Sequence, residues 1–259
     1  MYRIEKLKNN NKPLFDFVNN LYVLILENSP YEKQVREQLA KYNLCKNMYL
    51  QWNKGYKFNN LPDTTTDLKM AFLYALKKNK NEKYVIILEE DFIIRDEFLK
   101  NINETKKFII NKNIECFLFG SLLFSAEKIN KNFAKVCRKG GTHALLINNE
   151  GINKLIKNIN IKYDIDNLTS RILDMYSPTK AQIIQIFNHT ENQNNWKKGI
   201  TIKNLRNIVD SLIKLLNFLG GDKKEYINFF YDLNYLLILS NNPFKQYVRY
   251  INYINDLIT

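Results

Sequence analysis

Two short apolar runs without a polar interruption constrain the fold more than any other feature of the sequence. Leu21 to Leu26 is a continuous run of β-prone residues, and Tyr84 to Leu88 is a second one. A strand that exposes one face alternates polar and apolar residues, whereas an uninterrupted apolar strand is typical of a sheet covered on both faces. The sequence therefore predicts an α/β fold with buried central strands.

Strand-like and helix-like patterns alternate around these runs. Further strands are predicted at 48–52, 116–119, 133–137, 144–147 and 181–187, and helices at 31–42, 67–80, 96–103, 149–159 and 167–175. For the first helix, Ser29 is expected to cap, Pro30 to take the first helical position and Glu32 to close a capping box. The alternation predicts a Rossmann-like mixed sheet flanked by helices.

The periodicity becomes purely helical from about Ile200, with a break at Gly220 and Gly221. We therefore expect an α/β domain over 1–199 and a C-terminal all-α extension over 200–259. The dense apolar stretch from Tyr226 to Leu236 has three interpretations. It completes the core, forms a homodimer face, or lies against a membrane surface.

The net charge of +13 raises the question of a nucleic-acid partner. Only seven of the 39 basic residues are arginine, the residue that phosphate and base readers favour. Abundant Lys, Asn, Ile and Tyr are also what an AT-rich coding sequence produces. We expect no specific nucleic-acid partner, and a basic nucleic-acid-binding protein is the weaker alternative.

Composition also bears on the cellular location. No apolar run approaches the length of about 18 residues that a membrane span needs, and the N-terminus lacks the pattern of a secretory signal. The expected location is the cytoplasm, or the host cytoplasm or virion if the AT-rich genome is viral.

Cys45, Cys116 and Cys137 show no metal-site spacing and are expected to be free, with Cys116 and Cys137 in the core.

Three acids follow the second apolar run. Glu89, Glu90 and Asp91 stand where the strand leaves the core, and ligands of open α/β sheets bind at such strand ends. If the backbone stays extended, Glu89 and Asp91 share one face. Paired carboxylates repel each other unless a cation is near, and their oxygens suit Mg²⁺ or Mn²⁺. The triplet indicates a metal site for a diphosphate, or else a solvated strand end in which Asp91 or Asp96 caps the next helix.

Three segments occur in a recognisable order: Tyr84 to Phe92, then Gly141 to Ile156 beginning Gly-Thr-His-Ala, then Tyr163 to Asp166. Together, over about residues 20–190, they resemble glycosyltransferase family 25, which includes lipopolysaccharide and collagen galactosyltransferases. The resemblance implies a GT-A-type fold. It also implies a metal-dependent, inverting enzyme that moves a hexose, galactose or glucose, from a UDP-sugar to a hydroxyl of a glycan or protein.

The resemblance further implies roles for individual residues. Asp91 would be the principal ligand of Mn²⁺ or Mg²⁺, and Glu89 a second ligand or a ribose contact. The implied donor-binding group consists of Glu89, Glu90, Asp91, Gly141, Thr142 and His143. His189 would add a nitrogen ligand, with a surface-loop histidine as the alternative.

An inverting transfer needs one base for the acceptor hydroxyl. Asp166 matches the motif position, Asp164 is the fallback, and a helix-capping role is the alternative for Asp166. Three departures from the family pattern support another alternative, a non-catalytic binding or assembly protein of this fold. They are Glu90 in place of Asp, Leu145 in place of Tyr, and residues 70–74 in place of a Ser-His pair.

Overall fold

A nine-stranded mixed sheet forms the centre of the protein in a computed structural model that describes residues 2–8, 11–160, 162–185 and eight positions between 228 and 239. The strands are β1 (Arg3–Leu7), β2 (Asn20–Leu26), β3 (Asn47–Asn53), β4 (Tyr84–Glu89), β5 (Phe92–Ile94), β6 (Cys116–Leu118), β7 (Leu122–Lys128), β8 (Phe133–Gly140), β9 (Ala144–Asn148), β10 (Met175–Pro178) and β11 (Ile183–Gln185). The helices are α1 (Glu32–Lys41), α2 (Thr64–Lys78), α3 (Asp96–Lys112), α4 (Asn149–Asn158) and α5 (Ile165–Ile172).

The order of strands across the large sheet is β1-β3-β2-β4-β9-β6-β10-β8-β7, while β5 and β11 form a separate pair. Strands β3, β2 and β4 run parallel, and β9 is antiparallel to β4. The carboxyl ends of β2, β3 and β4 therefore meet the amino end of β9 at one edge of the sheet. This mixed α/β architecture, flanked by helices, is compatible with the predicted Rossmann-like fold.

Burial on both faces explains why the apolar runs lack polar interruptions. In β4, Val85 and Ile87 pack in one core cluster with residues of α2 and α4. Ile86 and Leu88 point the other way, into a cluster with residues of α1 and α3. Successive side chains of a strand alternate between faces, so a strand covered on both sides must be apolar throughout. The prediction made from Tyr84 to Leu88 is confirmed.

Helix capping follows the sequence signals in part. The side chains of Asp63 and Asn148 accept hydrogen bonds from Thr66 and Gly151 and so cap α2 and α4. The capping box predicted for α1 is wrong, because Tyr31 is the N-cap and makes no side-chain cap bond. Ser29 instead accepts a bond from the Tyr31 amide, and Glu32 pairs with Arg36.

Four strands were not predicted: β1, β5, β7 and β10. The helix expected at 167–175 ends at Ile172, and the backbone is extended at Leu173. Met175 then pairs with Cys116 on one side and Val136 on the other. Sheet pairing on both sides overrides the helical pattern at this point, as tertiary context often does.

Cys137 is exposed, so its predicted place in the core is wrong, whereas Cys45 and Cys116 are buried. Cys137 lies on the same face of β8 as the exposed Lys135, whereas Ala134 and Val136 face the core, so the ordinary alternation of the strand leaves Cys137 exposed. The register shifts twice between Leu123 and Ala126 of β7, and no residue of β7 pairs with Cys137. All three cysteines are free, as expected.

The described positions between 228 and 239 are helical and pack against the α/β part. Tyr231, Tyr235, Ile238 and Leu239 are buried in the core cluster that contains Val85. Asp232 forms a two-point ion pair with Arg95, with distances of 2.8 and 2.9 Å. These residues support the first interpretation of the C-terminal stretch, completion of the core. The boundary expected at residue 200 lies outside the described residues.

No helix within the described ranges is long and apolar enough to cross a membrane.

Gly120, between β6 and β7, provides a test of the packing of β11 on the sheet. A Cβ atom at this position would lie 1.9 Å from the Ile183 carbonyl oxygen. Because the obstacle is backbone, Gly120→Ala must displace β11, and we expect it to lower the free energy of unfolding by about 1–3 kcal/mol or more. Urea denaturation measures this change.

Gly140→Ala is the matched control. The three atoms nearest to its Cβ would all belong to the ring of Phe124, a partly exposed side chain that can give way more easily than backbone. The expected loss of stability is correspondingly smaller. Equal stability of the two variants would show that the Ile183 carbonyl of β11 does not lie against Gly120.

Candidate functional site

The acidic triplet lies at the edge of the sheet where β2, β3 and β4 end. β4 stops at Glu89, and Glu90 and Asp91 form a turn into β5. The backbone is therefore not extended through the triplet, so the condition under which Glu89 and Asp91 would share one strand face is not met; β5, which follows the turn, pairs with β11. Glu90 accepts a hydrogen bond from the Leu26 amide at 2.7 Å, so its carboxylate is directed to the end of β2.

Glu89 is held by the segment that joins β8 to β9. The Thr142 hydroxyl donates to Glu89 Oε1 at 2.7 Å, and the Glu89 amide donates to the His143 carbonyl at 2.9 Å. Burial raises the pKa of the Glu89 carboxyl well above its ordinary value, and the nearby charges of Asp91 and Asp166 raise it further. Two motifs that are 53 residues apart thus meet at this carboxylate.

Asp91 is almost completely buried, with an exposed fraction of 4%. The Gln185 amide donates to its Oδ2 at 2.9 Å, while Oδ1 has no hydrogen-bond partner among the described residues. Burial raises the pKa of this carboxyl as well, against the opposing effect of the Gln185 hydrogen bond. A buried carboxylate oxygen without a partner is costly in an ordinary core and is a common sign of a ligand site.

The two aspartates of α5 have different surroundings. Asp164 is the N-cap, and its carboxylate accepts bonds from the backbone and side chain of Asn167. Asp166 reaches back to the site instead, where Oδ2 accepts from the Gly141 amide at 2.9 Å. Its Oδ1 is buried without a hydrogen-bond partner in the described part of the chain. The capping role considered for Asp166 thus falls to Asp164.

A buried lysine, which no pattern in the sequence indicates, completes the site. Lys139 Nζ lies 3.8 Å from Asp166 Oδ1 and donates to the Gly141 carbonyl at 3.0 Å. Its side chain is fully buried. Gln185 was missed as well, since a glutamine inside an expected strand gives no signal of its contact with Asp91.

The segment Gly141 to His143 lies within the protein rather than on its surface. Gly141 adopts a positive φ of 84°, which favours glycine. Thr142 and His143 are both buried, and His143 Nε2 lies 3.3 Å from the Ile183 carbonyl oxygen. Burial lowers the pKa of His143 to about 4, so the imidazole is neutral at physiological pH.

The structure thus brings Glu89, Asp91, Thr142 and Asp166 together around one edge of the sheet. Glu90 and Asp164 make separate, local contacts. His189 lies outside the described residues, so its expected role as a metal ligand stays a prediction.

The carboxylates fit a hard divalent cation in part. No group of three or more His, Cys, Asp or Glu suited to a metal ion occurs in the described ranges. Mg²⁺ and related ions are often held by only one or two carboxylates, with substrate phosphates completing the shell. Glu89 and Asp91 supply such a pair, and the unpartnered Oδ1 of Asp91 is the kind of oxygen a cation would satisfy.

A surface depression of about 550 Å³ lies at the opposite edge of the sheet. It surrounds the start of β4 and the N-terminus of α4, and Lys154 within it is paired with Glu115 and Glu150. Its lining residues are Lys83, Asn113, Asn148, Asn149, Glu150, Asn153, Lys154 and Lys157. Glu89, Asp91 and Asp166 lie at the other edge, so the candidate site and this depression are separate.

Comparison with known proteins gives limited information. No family model matches the chain, and no curated protein sequence matches it. Among solved structures, A197 from STIV matches with a TM-score of 0.42 at 12% identity, over 64% of this chain and 84% of that chain. A glycosyltransferase involved in the glycosylation of the major capsid of PBCV-1 matches with a TM-score of 0.36 at 12% identity, over 68% and 97%. Similarities of this size carry no argument about activity.

The buried imidazole predicts a specific loss of stability in acid. An unfolded histidine has a pKa of about 6.5, whereas the pKa of His143 in the folded protein is about 4. The unfolded chain therefore binds more protons between these values. The stabilisation is complete above about pH 6.5 and is lost as the pH falls to about 4, a change on the order of 3 kcal/mol.

His143→Gln replaces the imidazole N–H with an amide N–H donor and does not titrate. We expect its free energy of unfolding to fall less steeply from pH 7 to pH 4 than that of the wild type. Urea denaturation at several pH values measures how the free energy of unfolding of the two proteins depends on pH. The acidic residues are the same in both proteins, so they contribute equally to the two slopes. Parallel slopes would mean that His143 is not buried in its neutral form.

Proposed function

We propose that the protein is a metal-dependent glycosyltransferase that uses a UDP-sugar donor. The observation that supports this most is the set of carboxylates at the carboxyl edge of the parallel strands, in which a buried oxygen of Asp91 and one of Asp166 lack hydrogen-bond partners among the described residues. Strongly perturbed carboxylates at the ligand-binding edge of an α/β sheet mark candidate sites. The resemblance of the same segments to glycosyltransferase family 25 gives the reaction class.

Glu89 and Asp91 are proposed to hold Mn²⁺ or Mg²⁺ together with the donor diphosphate. The bound cation would neutralise charge on the leaving diphosphate. Thr142 and Gln185 fix the two carboxylates by hydrogen bonds at 2.7 and 2.9 Å. Rigid support of this kind lowers the cost of ordering the site when ligand binds.

Asp166 is proposed as the general base. Its Oδ2 accepts from the Gly141 amide, whereas Oδ1 has no hydrogen-bond partner among the described residues and would be the oxygen that accepts the proton. In a single displacement the acceptor hydroxyl oxygen bonds to the anomeric carbon, its proton passes to Asp166, and the bond to UDP breaks with inversion. The proposed product is a hexose, galactose or glucose, on a hydroxyl of a glycan or protein.

A non-catalytic protein of the same fold is the second candidate. The observation that favours it is the depth of Asp91, which is 4% exposed, so a ligand reaches this carboxylate only if neighbouring groups move. Such a protein would bind UDP or a glycan without turning over a donor. The experiments below separate the two candidates.

Binding of UDP should require a divalent cation. We expect UDP with Mn²⁺ to raise the melting temperature, because ligand at 100 times its dissociation constant adds about 2.7 kcal/mol to the folded state. Asp91→Asn removes the charge at nearly constant volume and should abolish the shift and most turnover. Thermal melting and hydrolysis of a panel of UDP-sugars are the measurements.

Glu115→Gln is the matched control, because Glu115 is also buried but pairs with Lys154 at the opposite edge of the sheet. This variant should keep the UDP-dependent shift. An equal UDP shift in excess chelator would contradict the metal role of Glu89 and Asp91. A metal-dependent shift without hydrolysis or transfer of any UDP-sugar would favour the non-catalytic candidate.

Asp166 and Asp164 should differ in a paired test. Asp166→Asn is expected to reduce single-turnover transfer by about 100-fold or more while donor affinity changes little. Asp164→Asn keeps a side-chain oxygen for the helix cap, and Asn caps about as well as Asp, so it should change neither stability nor transfer appreciably. Wild-type transfer in Asp166→Asn would exclude it as the base, and loss only in Asp164→Asn would move the assignment there.

A further inference from the structure

Lys139 is unusual because it is the only lysine or arginine among the buried side chains of the described ranges. It lies on β8, where the neighbouring Lys135 is half-exposed and pairs with Asp174. The double register shift in the β7–β8 hairpin separates these two lysines. Lys139 is therefore turned into the protein beside the acidic site while the rest of the strand follows the ordinary alternation.

A buried ammonium is costly unless it is paired and hydrogen-bonded. Lys139 has both kinds of partner: the Gly141 carbonyl at 3.0 Å and Asp166 Oδ1 at 3.8 Å. Asp166 in turn accepts from the Gly141 amide at 2.9 Å. The two side chains thus hold the same glycine from its two sides, in a closed arrangement of Lys139, Gly141 and Asp166.

The charge of Lys139 also affects the neighbouring carboxylates. Asp91 and Asp166 both repel a negative charge on Glu89, and Lys139 opposes that repulsion. Removal of this one ammonium would leave three carboxylates at the same edge with no buried cation from the described residues. A lysine that merely filled space in the core would have no such relation to Asp166.

We propose that Lys139 is the positioning residue of Asp166. Its ammonium fixes the carboxylate of the candidate base and the adjacent turn at Gly141, and thereby sets the geometry of proton transfer. The catalytic part of this inference rests on the proposed function, whereas the coupling between Lys139 and Asp166 does not.

A double-mutant cycle tests the coupling in the full chain. Lys139→Met keeps most of the length of the side chain and removes its charge, so we expect it to lower the melting temperature by leaving Asp166 without its cation. Adding Asp166→Asn removes that unpaired charge, so the double variant should melt at a higher temperature than Lys139→Met alone. Lys135→Met, which breaks an exposed pair on the same strand, should melt close to the wild type.

Kinetic measurements on the wild type, Lys139→Met, Asp166→Asn and the double variant test whether Lys139 positions Asp166 for the reaction. Lys139→Met should lower kcat for transfer by about tenfold or more with little change in the KM for the donor, and it should have no further effect in the Asp166→Asn background. Lys139→Gln serves where Lys139→Met does not fold. Additive effects on both melting temperature and kcat would overturn the proposal.

These experiments distinguish failure of the proposed function from failure of the inference about Lys139. If the wild type transfers no UDP-sugar, the glycosyltransferase assignment is lost, but the melting-temperature cycle still decides whether Lys139 and Asp166 are coupled. If the wild type is active and the cycle is additive, the assignment stands and only the role of Lys139 is rejected.

Discussion

The antiparallel pairing of β4 with β9 determines the arrangement of the candidate site. The last bond of this ladder, from the Glu89 amide to the His143 carbonyl, places the end of the acidic strand against the start of the Gly-Thr-His segment. The Thr142 hydroxyl can then reach Glu89, and Gly141 lies close enough to contact both Asp166 and Lys139. A shift of one residue in this register would turn Thr142 away and separate the groups.

Burial changes the acidity of the carboxyl groups of Glu89 and Asp91. In water, acids at this spacing would be ionised and would repel each other only weakly. Behind the ends of buried strands, burial raises the pKa values of both Glu89 and Asp91. Support by Thr142, Gln185 and Lys139 restricts the side chains to one arrangement. The site therefore favours the binding of a positive charge. Its carboxylates cannot easily move apart to reduce their mutual repulsion.

Local patterns in the sequence predicted much of the fold. The uninterrupted apolar runs at 21–26 and 84–88 correctly indicated strands covered on both faces, because burial on two sides leaves a direct mark on composition. Short strands such as β5 and β10 were missed, since they owe their extended backbone to partners that are distant in the chain. The helix expected to include Met175 failed for the same reason.

The residues of the candidate site also fall into two groups: those that the local sequence indicates, and those whose role depends on pairing between distant strands. Glu89 and Asp91 were singled out by their place at a strand end and Asp166 by motif order; the structure places the three near one another, and their roles stay predictions. Lys139 and Gln185 were missed because their importance depends on which way each strand faces. That direction was set by a hairpin irregularity for Lys139 and by pairing with β5 for Gln185.

The ion pair between Arg95 and Asp232 spans 137 residues of sequence and has a consequence for synthesis of the protein. A ribosome adds about 5–20 residues per second, and domains fold as their parts emerge. Arg95 and the core surface beside Tyr231 stay uncovered until the segment near residue 232 has left the ribosome. A nascent chain that stops before this point exposes apolar surface, which makes it prone to aggregation and a natural substrate for chaperones.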